Sequence, residues 1–338
     1  MTEEAARKQR RLCSPAVVLL FLAPVLGELL SGSAPPAEFF QPFGFILLTI
    51  LYGGGAILAR ELTHRWEKGW PTLLALGAAY GIAEEGLMCK SFFDPAWMDL
   101  GELANYGRWF GVNWVWSVQL TILHAAFSIA MPVLLVTLMF PARRSQAWIS
   151  RRTFKWLSVL WVANGLFIFL ALTTYRPPVV PLLSAVLFAV ALVRLARRLP
   201  RLTCDPEQVR LRRPLWFGLT GFVGTMGLLA LARGSPVIGV PPLLAMLLMA
   251  GLPVAVALIA LEVLGPGLVC SGRQHLALAS GGLMLFVLLA QMQEFDSSRP
   301  DDMTGMTYVG LGMMLFLIWL RWRVRRRDRV DWRMASVQ

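Results

Sequence analysis

The chain has 338 residues, of which 57% are hydrophobic and 15% charged, and its formal net charge is +12. Soluble domains carry roughly 25% charged residues; the lower value here, with apolar runs of about 20 residues recurring along the whole length, excludes a soluble enzyme and indicates a membrane protein. The positive charge does not indicate nucleic acid, because it is gathered on alternate connecting segments.

The first apolar run, 14–33, follows the basic stretch RKQRR and precedes SGSAPPA, which together have the layout of a secretory leader. Its length and its internal Glu28 favour a retained first helix. Further runs follow at 41–59, 71–92, 113–140, 155–174, 178–196, 214–232, 237–264, 275–293 and 304–322. Ten crossings divide the connections into two sets. One holds the N-terminus, 60–70, 141–154, 197–213, 265–274 and the C-terminus, with nearly all the arginine and lysine. The other holds Lys90, Arg108, Arg176, Arg233 and Arg299. Translocation disfavours cations, so the basic set and both termini are expected in the cytoplasm.

The expected fold is an all-α, polytopic integral membrane helix bundle of about ten transmembrane helices in the cell membrane. A single transmembrane domain spans 1–338. Helices one to four, over 13–140, carry the polar residues; helices five to ten, over 155–322, serve as scaffold; 323–338 is a basic cytoplasmic tail. Polar exceptions in the scaffold are Asn164, Glu262, Gln291, Gln293 and Glu294. Cys13, Cys204 and Cys270 fall on the cytoplasmic side and Cys89 within a helix. With no CxxC present, neither a disulfide nor a thiolate zinc site is expected.

The second helix contains Gly53–Gly54–Gly55, the pattern of a flexible or closely packed crossing. At its cytoplasmic end Glu61 and His64 share one helical face, and the surrounding charges make this an interfacial, charge-paired segment. The third helix reads PTLLALGAAYGIAEEGLMCK. Gly77, Gly81 and Glu85 form one row at i,i+4 spacing, so Glu85 is expected to point into the bundle. Glu84 is expected about 100° away, on the face of Tyr80, which could donate a hydrogen bond to it. Lys90 or Arg108, nearer the outer surface, could pair with Glu84. The external loop 93–112 is dense in aromatic residues, glycine and acid.

The fourth helix reads NWVWSVQLTILHAAFSIAMP. Ser117, Thr121, His124 and Ser128 form one polar stripe. His124 is expected about 16 Å below the outer helix end, and Glu85 about 10 Å below it. A charge at bilayer depth costs about 2.5–3.5 kcal/mol on insertion scales, and such groups usually have a partner inside the bundle. Glu85 and His124 can share a proton or a water. They can also simply tie two helices together, and the hydroxyls can bond carbonyls one turn back.

The stretches AEEGLMCK and HAAFS resemble the Glu-Glu-x-x-x-Arg and His-x-x-x-Asn/Asp motifs of the CAAX-protease and bacteriocin-processing family of membrane endopeptidases. The resemblance implies Glu84 or Glu85 as general base and His124 as a water or oxyanion partner in peptide-bond hydrolysis. Cys89 stands at the motif's arginine position, Ser128 at its Asn/Asp position, and the intervening Phe-x-x-x-His motif has no counterpart.

Three functions follow. The first is a membrane-embedded hydrolase using Glu84, Glu85 and His124, supported by Tyr80, Ser117, Thr121, Ser128, Lys90 and Glu28. The second is a proton-coupled secondary transporter, favoured by Pro241, Pro242 and Pro253 interrupting the eighth helix. The third is a structural or accessory membrane protein. No metal or other cofactor is expected, since a metal site needs at least three ligands and only Glu84, Glu85 and His124 are close. The expected partners are membrane lipids and a peptide, lipid-linked or small-molecule substrate, without nucleic acid.

Overall fold

A computed structural model describes residues 14–201, 212–264, 271–297, 299 and 301–335, with side chains to 327 in the last helix. Cys13, Cys204 and Cys270 lie outside the described residues, and Cys89 is a free thiol. The structure is 77% helical. Its long helices are α1 (Pro15–Leu29), α2 (Pro42–Arg65), α3 (70–88), α4 (Trp114–Met139), α5 (Arg151–Leu172), α6 (Val179–Arg198), α7 (Pro214–Val237), α8 (Pro242–Val263), α9 (Gly272–Glu294) and α10 (Met306–Ala335). The sheet content among the described residues is one antiparallel pair, β1 (Arg108–Trp109) with β2 (Val112–Asn113).

Local sequence sets the helix boundaries. Proline stands in the first turn of α1, α2, α3, α7 and α8, where its fixed φ suits the helix and its missing N–H has no partner to lose. Asn113, Ser150 and Ser271 cap α4, α5 and α9 by accepting from Trp116 N, Thr153 N and Gln274 N.

Among the described residues, seven helices are long and apolar enough to cross a membrane: α2 and α4 to α9. The chain is thus an all-α, multi-pass membrane bundle. α1 is apolar but shorter. Half of the apolar window of α2 and of α4 is buried inside the protein, against 17% for α5, α6 and α8. α2 and α4 therefore lie in the interior, while α5, α6 and α8 turn most of their apolar surface outward.

The interior is closely packed. Leu19, Ala23, Tyr52, Ala56, Tyr80 and Val133 join α1 to α4 in one core. Gly53 of α2 lies against the Leu20 backbone of α1, and Gly77 of α3 against the Ala125 backbone of α4. Without side chains at these positions the helix backbones meet directly, which is how helices associate in lipid. A second core under the connection 89–113 contains Phe92, Phe93, Leu100, Leu103, Val115 and Trp116.

Four of these inner helices contain wide, π-helical turns: Val25–Leu29, Thr49–Gly54, Ile82–Met88 and His124–Ala130. Such turns are rare and are frequent at functional sites. Each of the four carries one or more polar residues of the site described next.

Candidate intramembrane acid–base site

Helices α3 and α4 approach where Gly81 faces the side chain of His124. His124 Nε2 lies 3.0 Å from Glu85 Oε1. His124 Nδ1 lies 2.9 Å from Ser128 Oγ and 3.2 Å from Glu84 Oε2. One ring therefore stands between two adjacent carboxylates. The sequence-based expectation that Glu84 and Glu85 address different neighbours is corrected. It assumed α-helical rotation, whereas the π-turn Ile82–Met88 changes the angular offset between successive side chains.

The Nδ1 atom has a choice of partners. A single N–H cannot be aligned with both Ser128 Oγ and Glu84 Oε2, and Glu84 Oε2 accordingly accepts no hydrogen bond while fully enclosed. The tyrosine hydroxyl of Tyr80 is also enclosed and unpartnered. The Tyr80 and Tyr52 rings stand 5.9 and 6.0 Å from the His124 ring.

Behind the ring is a third carboxylate. Tyr52 donates its hydroxyl proton to Glu28 Oε1. Gly27 gives the Tyr52 ring its room against α1, and Gly55 does the same for Tyr80. In front, Ser91 donates to Glu85 Oε2, and Trp116 Nε1–H donates to Ser91 Oγ at 3.1 Å. Glu84 is 2% exposed and the Glu85 side chain 13%, so Glu85 is the more open carboxylate of the pair.

Glu84, Glu85 and His124 each offer an atom that could ligate a metal ion, all within 4.8 Å of one another. The carboxylates, however, stand at opposite nitrogens of one imidazole, whose in-plane lone pairs diverge. The arrangement is a Glu–His–Glu series in which the ring is hydrogen-bonded to Glu85 at Nε2 and to Ser128 at Nδ1, with Glu84 3.2 Å from Nδ1.

The remaining expected site residues divide. Glu28, Tyr80 and Ser128 are at the site. Ser117 bonds back to the Asn113 carbonyl at 2.6 Å, one turn away, and is not. Thr121 contributes backbone beside Gly81, and its hydroxyl has no hydrogen bond to the described residues. Lys90 and Arg108 do not pair with Glu84. Lys90 Nζ donates to the carbonyls of Phe169, Thr173 and Tyr175 at 2.8, 3.0 and 2.9 Å, which closes the end of α5. Arg108 donates to the carbonyls of Ala104, Phe93 and Asp94 and holds the external loop. Both cations are taken by carbonyls left free where helices and loops end.

Tyr52, Ser91 and Trp116 are additional site residues. Tyr52 directly precedes Gly53–Gly54–Gly55, so the glycine run marked its helix, though not its hydroxyl. Nothing in the sequence marks Ser91 or Trp116. At the far end of α2, Glu61 is fully buried, bonded by Arg60 at 2.5 Å, Arg65 at 3.4 Å and Trp148 N at 2.8 Å. It is a charge-paired anchor, remote from the Glu–His series.

A model of an uncharacterized membrane protein family matches residues 17–335, nearly the whole chain. That match is to a membrane protein family other than the CAAX-protease and bacteriocin-processing endopeptidases. No curated protein and no solved structure matches the chain.

Proposed function

The chain belongs to this uncharacterized membrane protein family, and from its own geometry we propose that it is a membrane-embedded hydrolase acting on a peptide or lipid-linked substrate. The observation that carries the reading is the His124 ring held between Glu84 and Glu85, with Glu85 as the more open of the two. The partial likeness of AEEGLMCK and HAAFS to a family of membrane endopeptidases points the same way.

In this mechanism water enters between Glu85 and His124. Glu85 accepts a proton from the water as its oxygen attacks the substrate carbonyl. His124 Nε2–H faces the oxygen on which negative charge develops. Ser128 holds the ring by Nδ1, the Glu84 carboxylate stands beside that nitrogen, and Ser91 fixes the second oxygen of Glu85. When the C–N or C–O bond breaks, the proton on Glu85 passes to the departing amine or alkoxide. The products are a carboxylic acid and an amine or alcohol, and Glu85 is again a carboxylate.

A second reading is a proton-coupled secondary transporter. The series Glu85–His124–Glu84, with Tyr52 and Glu28 behind it, favours this by offering successive sites for one proton. A structural or accessory role, in which the same contacts only join helices, is the third.

The test is purified full-length protein in lipid nanodiscs, presented with peptide and lipid-ester libraries. Hydrolysis by the wild type that falls about 10²–10⁴-fold in Glu85→Gln supports the hydrolase. Proton-gradient-driven uptake in liposomes, lost in Glu85→Gln without any hydrolysis, supports the transporter. Neither activity in the wild type supports the structural role.

A further inference from the structure

A cavity of about 430 Å³ lies at the opposite end of the bundle from the Glu–His series. Its volume falls within the range of small-molecule sites, about 300–1,000 Å³. We infer that it is a binding site for a phosphate-bearing anion, either the headgroup of an anionic phospholipid or a soluble phosphorylated molecule. This inference is independent of the hydrolase reading.

The lining is cationic. His64, Lys68, Arg144 and Arg201 converge on it, and Glu67 is the one acidic side chain among the lining residues. No described carboxylate forms an ion pair with Lys68, Arg144 or Arg201. Lys68 Nζ donates one proton to the Leu199 carbonyl at 2.9 Å, which fixes the ammonium in place and leaves two protons for a ligand.

The frame is built rather than loose. The chain reverses between α2 and α3 at Glu67, where φ is 55°. Arg60, buried and stacked 3.9 Å over Trp148, donates to the carbonyls of Arg144 and Gln146 at 3.0 and 2.6 Å. The segment carrying Arg144 and Ser145 is thereby held at the cavity rim. One guanidinium thus secures the position of another.

The N-terminus of α3 adds a backbone donor. Gly69 caps it without a side-chain hydrogen bond, and Pro71 has no N–H, so of the first amides that of Trp70, a lining residue, remains at the positive end of the helix. Val133 and Leu73 supply an apolar wall and Ser145 a hydroxyl, while Thr63 and Thr137 donate theirs to the Ala59 and Val133 carbonyls at 2.9 and 2.7 Å. Three cations (Lys68, Arg144 and Arg201), a backbone amide and the Ser145 hydroxyl suit a phosphate, and the apolar wall suits the glycerol or acyl part of a lipid. Basic pockets between membrane helices commonly bind lipid phosphate in this way.

The test is titration of purified full-length protein in detergent with phosphatidic acid, phosphatidylcholine and inorganic phosphate, read by native mass spectrometry and by melting temperature. The double variant Lys68→Gln/Arg144→Gln removes two cations from the cavity. Arg151→Gln/Arg152→Gln removes two exposed cations outside it and serves as the charge control. Wild type should retain phosphatidic acid in preference to phosphatidylcholine. The cavity variant should lose about 25-fold in affinity, at about fivefold per cation, and the control should not. Displacement of phosphatidic acid by millimolar inorganic phosphate, with a matching rise in melting temperature, would assign a soluble phosphorylated ligand. Absence of displacement would assign the lipid. Equal retention of the two lipids, or equal losses in both variants, would overturn the inference.

Discussion

Gly81 and His124 are in direct contact across the α3–α4 interface: a methyl group on Gly81 would stand 2.8 Å from His124 Cβ. Gly81→Ala therefore has to move either the helix or the ring. Overpacking of this kind costs about 1–3 kcal/mol. The displaced ring should also lose its registry with Glu84 and Glu85. Loss of the activity read at Glu85, with a modest fall in melting temperature, is the expected result. Unchanged activity in Gly81→Ala would show that the ring's position is not critical.

Glu85→Gln should leave the fold nearly intact. Its amide can keep a hydrogen bond to His124, and interhelical hydrogen bonds in membranes average about 0.6 kcal/mol. It cannot accept a proton from water at working pH, so turnover should fall about 10²–10⁴-fold. A large fall in melting temperature with this variant would instead place Glu85 among the groups that hold the bundle together.

Tyr52→Phe removes one hydroxyl and keeps the ring that packs on Tyr80 and His124. Glu28, which is half-buried, then loses its donor, at a cost of up to about 1–3 kcal/mol. In the hydrolase reading Tyr52 touches neither water nor substrate, so turnover by the folded enzyme should stay within about tenfold, far less than the loss of a general base. In the transporter reading the variant should abolish coupling. Paired measurements of melting temperature, hydrolysis and uptake separate these outcomes.

Lys90→Met retains length and removes the charge. The carbonyls of Phe169, Thr173 and Tyr175 would lose one of two shared donors, keeping Arg176 at 3.4, 2.9 and 3.4 Å. The expected destabilisation is about 1–3 kcal/mol, seen as a lower melting temperature and faster amide exchange at the end of α5. A Lys90→Met protein as stable as the wild type would mean that Arg176 and water satisfy these carbonyls without the ammonium.

The basic and poorly basic loop sets also make a topological prediction: both termini in the cytoplasm and ten crossings. Reporter fusions after Arg176 and after Arg333 should signal outside and inside, respectively. The reverse result at either position would require a different number of crossings.

Much of this was legible in the chain. Apolar runs of about the thickness of a bilayer marked the helices. The glycine rows at Gly53 and at Gly77–Gly81 marked where backbones meet, because only a missing side chain permits that approach. His124 and the glutamate pair stood out, since charge inside an apolar run needs a partner. Helical periodicity could not show that both glutamates meet one ring. That depends on π-turns, which have no sequence signature comparable to a proline or glycine cap. Lys90 was misplaced for a related reason. Its partners are carbonyls at the end of a helix nearly 80 residues further on, and every residue type carries a carbonyl.

A π-turn closes its hydrogen bond over one residue more than an α-turn does. The four at Val25–Leu29, Thr49–Gly54, Ile82–Met88 and His124–Ala130 are therefore each one codon longer than the regular helix would require. Deleting a single codon within 82–88 would restore the α-helical register and swing one flank of the turn against the other by about 100°. The apolar runs would still be long enough to enter a bilayer, but the glutamates and the histidine would no longer face one another. In a comparison of homologous genes, a gap of three nucleotides at one of these turns would separate proteins that keep the acid–base constellation from those that keep the scaffold alone.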